Sequence, residues 1–181
     1  MLEDEKQIIE RARGGEAEAF GLLYDHYLPR IYRFVLLKVS HREEAEDLTH
    51  QAFLKAWESI AIYVDLGFPF GSWLYQISRN IIIDHYRSSS KMRGSISIED
   101  LGEVLKDDTE LESEVEKKIS LGKIAEAISK LKDMEQDVVI MRFVDDLPHE
   151  EVARVLGKSE GAVKLIQHRA IKNLKKILEN V

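Results

Sequence analysis

The stretch from His149 to His168, HEEVARVLGKSEGAVKLIQH, leaves the backbone little freedom. Val152, Ala153, Val155 and Leu156 give a first short helix one apolar side. Gly157 ends it, because glycine enters the left-handed region without the Cβ penalty. Ser159 then offers a hydroxyl to cap a second helix. That helix carries Val163, Ile166, Ala170, Leu174 and Ile177 at spacings of three and four, one face at the helical period. Ala153 is small enough to let the second helix cross the first closely. Small residue, turn glycine, then inward Val and Ile: the pattern predicts a helix-turn-helix.

The opposite face of the second helix is basic. Lys164, His168, Lys172 and Lys175 project away from the apolar stripe, with Arg169 and Lys176 beside it. From Glu151 to Val181 there are seven basic residues and three acidic ones, about +4 in a chain whose formal net charge is −7. Such an asymmetry favours phosphate. Lysines at a helix C-terminus also complement the macrodipole, which accounts for Lys175 and Lys176. It does not account for the turn chemistry upstream, so duplex DNA is the expected ligand of this segment.

The rest of the chain reads as helical. Only 3 Pro and 10 Gly interrupt it, and 33% of the residues are charged, as long helix surfaces require. There is no cysteine, which excludes disulfides and cysteine-based metal or nucleophile chemistry. The N-terminus MLEDEKQIIERARGG lacks the apolar centre of a signal peptide, and no run approaches the ~20 apolar residues of a membrane span. A cytosolic protein is expected.

Taken in order, residues 3–13 suggest a short helix stopped by Gly14-Gly15. Glu16 to Leu28 suggest a second, ended by Pro29, after which IYRFVLLKV reads as a central apolar helix. Ser40 is the expected cap of HREEAEDLTHQAFLKAWESI. There, Ala45, Leu48, Ala52, Phe53 and Ala56 share a core face, while Asp47, His50, Gln51, Leu54 and Glu58 lie opposite. Leu54 is either a lone exposed leucine that needs no explanation or, ringed by Asp47, Gln51 and Glu58, a contact anchor with a polar rim. Ser72 or Gly71 is expected to open the next helix, with Phe70, Trp73, Leu74, Ile77 and Ile81 inward. Tyr75, Arg79, Ile83 and Tyr86 stand opposite, flanked by Asn80, Ile82 and Arg87. Rings and arginines interleaved on an exposed face suit single-stranded nucleic acid, where rings stack on bases and cations meet phosphates. The alternative is that Tyr75, Ile82 and Ile83 pack against another helix of the same domain.

From Ser88 the periodicity fails. SSSKMRGS is polar, and Glu99 to Glu116 hold nine acids against Lys106. The expected fold class is therefore all-α: two small helical domains, residues 1–87 and 113–181, joined by a flexible acidic linker, residues 88–112. Ile124, Ile128, Leu131, Val138, Val139, Met141, Phe143 and Val144 are the expected core of the second.

The two halves together resemble a bacterial sigma factor of the extracytoplasmic function (ECF) type, group 4 of the sigma-70 family. The resemblance rests on EEAEDLTHQAFLKAW, on FGSWLYQISRNIIIDHYR from Phe70 to Arg87, and on LPHEEVARVLGKSEGAVKLIQHRAIKNL. In the first, the family's D-x-x-x-Q-x-x-F pattern is met by Asp47, Gln51 and, one residue early, Phe53. The resemblance implies that Asp47, His50, Gln51, Leu54 and Glu58 dock on the β′ clamp helices of RNA polymerase core. It implies that Tyr75, Arg79, Asn80, Ile83, Tyr86 and Arg87 face the promoter's −10 element. There, unstacking a base costs a few kcal/mol, which protein contacts must offset. It places Lys158, Ser159, Glu160, Lys164, Leu165, His168, Arg169 and Lys172 at the −35 element, with the second domain also meeting the β flap. Base and phosphate contacts are not separable at this level. The acidic linker would thread the RNA exit path. An anti-sigma factor, membrane-anchored in many systems, is the implied inhibitor, with Leu54, Ile82 and Ile83 as its expected footing. No cofactor, metal or small-molecule substrate is implied.

Three features depart from the family's common pattern. Pro148 replaces a Ser or Thr cap, which a helix's first turn tolerates. Leu165 stands outward among lysines, where it either touches a thymine methyl or is simply tolerated. The loop from Ile62 to Pro69 is unusually apolar for one that meets a flipped base. A stand-alone regulator fits less well, since a −7 chain with one basic module is poorly equipped to bind duplex alone. An enzyme fits worse still: His50, His149 and His168 fall on separate helices without metal spacing, and Ser88 to Ser90 have no readable base. An antagonist mimicking the first domain would need no basic recognition helix.

Overall fold

The computed structural model describes residues 4–65, 67–88 and 114–179, and every regular element among them is helical. The first module contains α1 (Glu5–Arg13), α2 (Ala17–Val39), α3 (Arg42–Ser59), a 3-10 turn (Ile60–Ile62) and α4 (Phe70–Ser88). The second contains α5 (Glu114–Ser129), α6 (Asp133–Val139), a π turn (Ile140–Val144), α7 (His149–Leu156) and α8 (Glu160–Leu178). The two-domain, all-α expectation holds; the expected acidic linker lies outside the described residues, apart from Ser88 at the end of α4.

Pro29 does not break the chain as expected: α2 runs straight through it. An internal proline costs about 3 kcal/mol. Against this, Leu23 and Tyr27 before it and Ile31, Phe34, Val35, Leu36 and Leu37 after it are all buried, each worth about 1.5–3 kcal/mol. Burial wins. Ser40 is likewise not the cap of α3. It ends α2 instead, at φ 58, donating its N–H to the Leu36 carbonyl at 2.8 Å. α3 begins after an extended His41, and its acidic first turn, Glu43 and Glu44, offsets the helix dipole.

Aromatic edges tie the first module together. Tyr24 meets Phe53 at 4.6 Å and Phe20 meets Trp57 at 5.0 Å, locking α2 to α3. Tyr63, Phe70 and Trp73 lie mutually within 5.3 Å and hold the residue after the 3-10 turn against the start of α4. α4 starts at Phe70, ahead of the expected position, and crosses α2 at Gly71. A Cβ there would fall 2.6 Å from Tyr27 Cε1. Tyr27, buried, donates its hydroxyl to Glu5 of α1, so three helices meet at that point.

In the second module Ile128, Leu131, Val138, Val139 and Met141 are buried as expected, but Phe143 is 55% exposed and Ile124 40% exposed. The π turn explains Phe143: its i→i+5 bonding widens the turn and displaces the 3.6-residue period. α6 is unusual in burying three successive polar residues, Glu135, Gln136 and Asp137. Glu135 accepts from Asn173 of α8 at 3.0 and 3.1 Å. Gln136 donates to the Ile128 carbonyl of α5 at 3.2 Å. Asp137 turns toward the first module. The modules pack directly on each other, α4 against α7 and α2 against α5 and the π turn.

Candidate nucleic-acid interfaces

The helix-turn-helix is built as its residues dictate. Val152, Ala153, Val155 and Leu156 are buried under α8. Gly157, at φ 61, turns the chain while Lys158 N–H donates to the Ala153 carbonyl at 2.8 Å. Ser159 Oγ accepts from Ala162 N–H at 3.2 Å, the expected cap. Val163 and Ala170 are buried, and Ile166, Leu174 and Ile177 half-buried, on the inner face of α8. Gln167 receives His149 Nε2 at 2.8 Å and Arg142 Nε at 3.4 Å, which fixes the start of α7 on α8.

The outer face is open. Lys158, Ser159, Glu160, Lys164, Leu165, His168, Arg169 and Lys172 are all exposed. Lys164 lies 3.6 Å from Glu160, a solvent-side pair of little energetic consequence. Leu165, 62% exposed, stands in the middle of this basic surface.

α3 also presents its outer face to solvent. Asp47, His50, Gln51, Leu54 and Glu58 are exposed, Leu54 at 59%. Beside Leu54 a groove of about 480 Å³ runs between α3 and α4, floored by Trp73, Ile77 and Ile81 and rimmed by Lys55, Glu58 and Asp84.

α4 departs from expectation. Tyr75, expected on an open face, is 1% exposed, its ring edge-on to Phe34 at 5.3 Å. Ile82, an expected footing for a partner, is 2% exposed. Arg79 is not free for phosphate: its Nε donates to Asp137 at 2.9 Å. Ile83 and Tyr86 are half-buried, while Asn80 and Arg87 are exposed, Arg87 lying 3.7 Å from Asp84. The physical reason is that the first turns of α4 have core on one side and the second module on the other. Of the expected −10 residues, the structure leaves Asn80 and Arg87 fully open.

The residues that cover this face went unread in the sequence. Lys38, 3% exposed, pairs with Asp137 at 2.7 Å and lies 3.7 Å from Asp133. Asp145, its side chain enclosed, faces Arg33 at 3.7 Å and the phenol of Tyr75. Burial pushes the Asp145 carboxyl up to about 6, against the pull of Tyr75 and of Arg33 and Arg30. Burial likewise raises Tyr75, with Asp145 adding to it. Ser72 Oγ donates to Glu151 at 3.1 Å, and burial raises that carboxyl too. The Arg154 guanidinium sits 3.9 Å above the Phe68 ring, a cation–π contact closing one wall of a 310 Å³ cleft lined by Tyr63, Val64, Pro69 and Trp73. One signal was legible: a lysine inside the apolar run VLLKV has to find a partner.

Two family models match the chain: sigma-70 region 2 over residues 23–92 and sigma-70 region 4 over residues 127–176. The ECF RNA polymerase sigma factor BldN of Streptomyces coelicolor is 37% identical over 172 residues, 95% of this chain; the chain spans 65% of that protein's length. Among solved structures, CnrH in complex with the cytosolic domain of CnrY superposes with a TM-score of 0.75 at 21% identity, over 97% of each chain. The sigma factor RpoE in complex with the anti-sigma factor NepR from Bartonella quintana superposes at 0.70 and 21% identity, covering 90% of this chain and 98% of RpoE. These two likenesses bear on the fold.

Proposed function

Because the chain belongs to the sigma-70 family, in its extracytoplasmic-function branch, we propose that it directs RNA polymerase core to a specific set of promoters. Residues 1–87 act as the core-binding and −10 domain, residues 113–181 as the −35 domain, and residues 88–112 as the connection through the RNA exit path. Asp47, His50, Gln51, Leu54 and Glu58 meet the β′ clamp, Leu54 as the apolar anchor. The second domain meets the β flap. Lys158, Ser159, Glu160, Lys164, Leu165, His168, Arg169 and Lys172 lie in and beside the major groove at −35. Phosphate contacts there set register and salt dependence, while side chains reaching base edges set sequence. Arg79, Asn80, Ile83, Tyr86 and Arg87 meet the −10 strand, and Tyr75 supports α4 from beneath. The protein performs no covalent chemistry of its own.

The observation that carries this reading is the exposed basic face of α8 on a capped helix-turn-helix, in one chain with the exposed Leu54 face of α3. An anti-sigma factor is the expected regulator, seated on the groove between α3 and α4. Its buried neighbour Ile82 is not part of that seat. The site of action is the bacterial cytoplasm, at the inner membrane where the inhibitor is anchored there. In support, no helix among the described residues is long and apolar enough to cross a membrane.

Run-off transcription on a pooled promoter library, with bacterial core polymerase with and without the protein, tests the proposal. Start sites that depend on the protein, sharing two upstream elements, are the expected result. A monomeric, inhibitor-free sample that yields no new starts overturns it.

A further inference from the structure

Among the exposed residues of α8 from Glu160 to Lys172, Leu165 alone is a large apolar one, 62% exposed. At about 100° per residue, it lies ~160° round the axis from buried Val163 and ~140° from buried Ala170. It therefore points away from the core, on the side where the helix comes nearest to whatever it docks on. One turn earlier stands Gly161, also exposed, where a Cβ would meet nothing within 4 Å. A helical side chain leans over the turn N-terminal to its own Cα, so Leu165 overhangs a bare stretch of backbone. The result is a small notch with an apolar wall, set in a cationic face.

The bearing of that wall is fixed. Gln167 is held by His149 at 2.8 Å and by Arg142 at 3.4 Å, and Asn173 is tied to Glu135 at 3.0 Å. Held at both points, α8 does not roll to bring Lys164 or His168 into the place of Leu165. Lys164 also leans back toward Glu160, at 3.6 Å.

What a leucine reads follows from the edges of the bases in the major groove. Guanine, adenine and cytosine present only donors and acceptors there, whereas thymine adds a C5-methyl group. Leucine offers no hydrogen bond, so on a polar edge it strips water from donors and acceptors and replaces nothing. Against a thymine methyl the same side chain buries apolar surface on both partners. Penalty and gain favour the same base.

We infer that Leu165, overhanging Gly161, is a specificity-determining residue that selects thymine at one base pair of the −35 element through its C5-methyl group. The inference rests on the reading of α8 as the −35 helix and deepens it. The cations around Leu165 supply affinity that does not depend on sequence.

The test uses the whole chain assembled with bacterial core polymerase, on the promoters recovered from the pooled library. Each −35 thymine, on either strand, is replaced in turn by deoxyuridine, which lacks only the methyl group. At one position the parent holoenzyme is expected to bind about fourfold more weakly, the effect of one methyl-sized group losing its burial, and run-off transcription is expected to fall with it. Leu165→Ala, at an exposed position that costs no core, is expected to bind thymine and uracil equally there and to respond like the parent elsewhere. Cytosine and 5-methylcytosine at that position give a second readout: the parent favours the methylated base and the variant does not. Uracil tolerated at every position overturns the inference, as do recovered promoters that share no −35 thymine. A uracil penalty that survives unchanged in Leu165→Ala also overturns it, because another residue then meets the methyl. A pool that yields no start dependent on the protein overturns the sigma reading itself, and the inference falls with it.

Discussion

Asp137→Ala is the most informative single substitution in this protein. It removes the carboxylate that holds Lys38 at 2.7 Å and Arg79 at 2.9 Å. Lys38 is only 3% exposed and Arg79's side chain 19%, so the two cations fare differently. Arg79 turns to solvent at the loss of one hydrogen bond, ~1 kcal/mol. Lys38 keeps Asp133, its carboxylate at 3.7 Å and its carbonyl at 3.3 Å, but loses its buried partner, which puts the cost at the low end, ~3 kcal/mol, of deleting one side of a buried pair. If the modules stay docked, the loss is about 4 kcal/mol, or a fall in Tm of about 8–16 °C for a chain of this size. If they part, Lys38 is hydrated, the loss is capped at the docking free energy, and the radius of gyration rises. Thermal unfolding together with small-angle scattering separates the two. Lys38→Met with Asp137→Leu, which removes both charges, is expected to recover most of the stability. The reasoning is refuted if Asp137→Ala unfolds within about 0.5 kcal/mol of the parent, the range of a neutral surface change, and keeps the parental dimensions.

Asp145 gives a pH dependence. Its folded carboxyl sits at about 6, above the ordinary 3.8, so the folded state holds the proton more tightly than the unfolded one. Its contribution is full below about 3.8 and is lost as pH rises through 6, by up to ~3 kcal/mol. Asp145→Asn is expected to be more stable than the parent at pH 8 and to lose that advantage by pH 4.5, read as a difference in Tm between the two proteins. Gly71→Ala drives a methyl into the buried Tyr27 ring at 2.6 Å, a clash expected to cost ~1–3 kcal/mol in urea unfolding. Lys172→Ala, an exposed position on α8, is expected to weaken −35 duplex binding evenly across sequences and to flatten the salt dependence by about one phosphate. A loss confined to one base pair would assign Lys172 to a base instead.

What the sequence made legible was local. Gly157 and Ser159 act on their immediate neighbours, so the helix-turn-helix follows from a few residues, and the two faces of α3 follow from the 3.6-residue period. What it hid was relational. Pro29 reads as a break because a propensity is a local cost, while the burial that overrides it belongs to residues on both sides. Ser40 carries a hydroxyl that suits an N-cap, yet the chain reversal needs its backbone at φ 58. Tyr75 and Arg79 lie opposite the Leu and Ile stripe of α4 and so read as a surface. Their partners, Phe34, Asp137 and Asp145, come from distant segments. No periodicity within α4 records that another module lies on it.

The three polar residues buried in succession on α6 have a mechanical consequence. Successive side chains on a helix are about 100° apart, given 3.6 residues per turn, so Glu135, Gln136 and Asp137 point three ways around one axis. One is tied to α8, one to α5 and one to the first module. A helix held at three azimuths admits a single angle of rotation. Any twist of α6 that released Asp137 would also pull on Asn173, and through it on the helix that presents the basic face. Held at that one angle, this short segment ties the first module rigidly to α8.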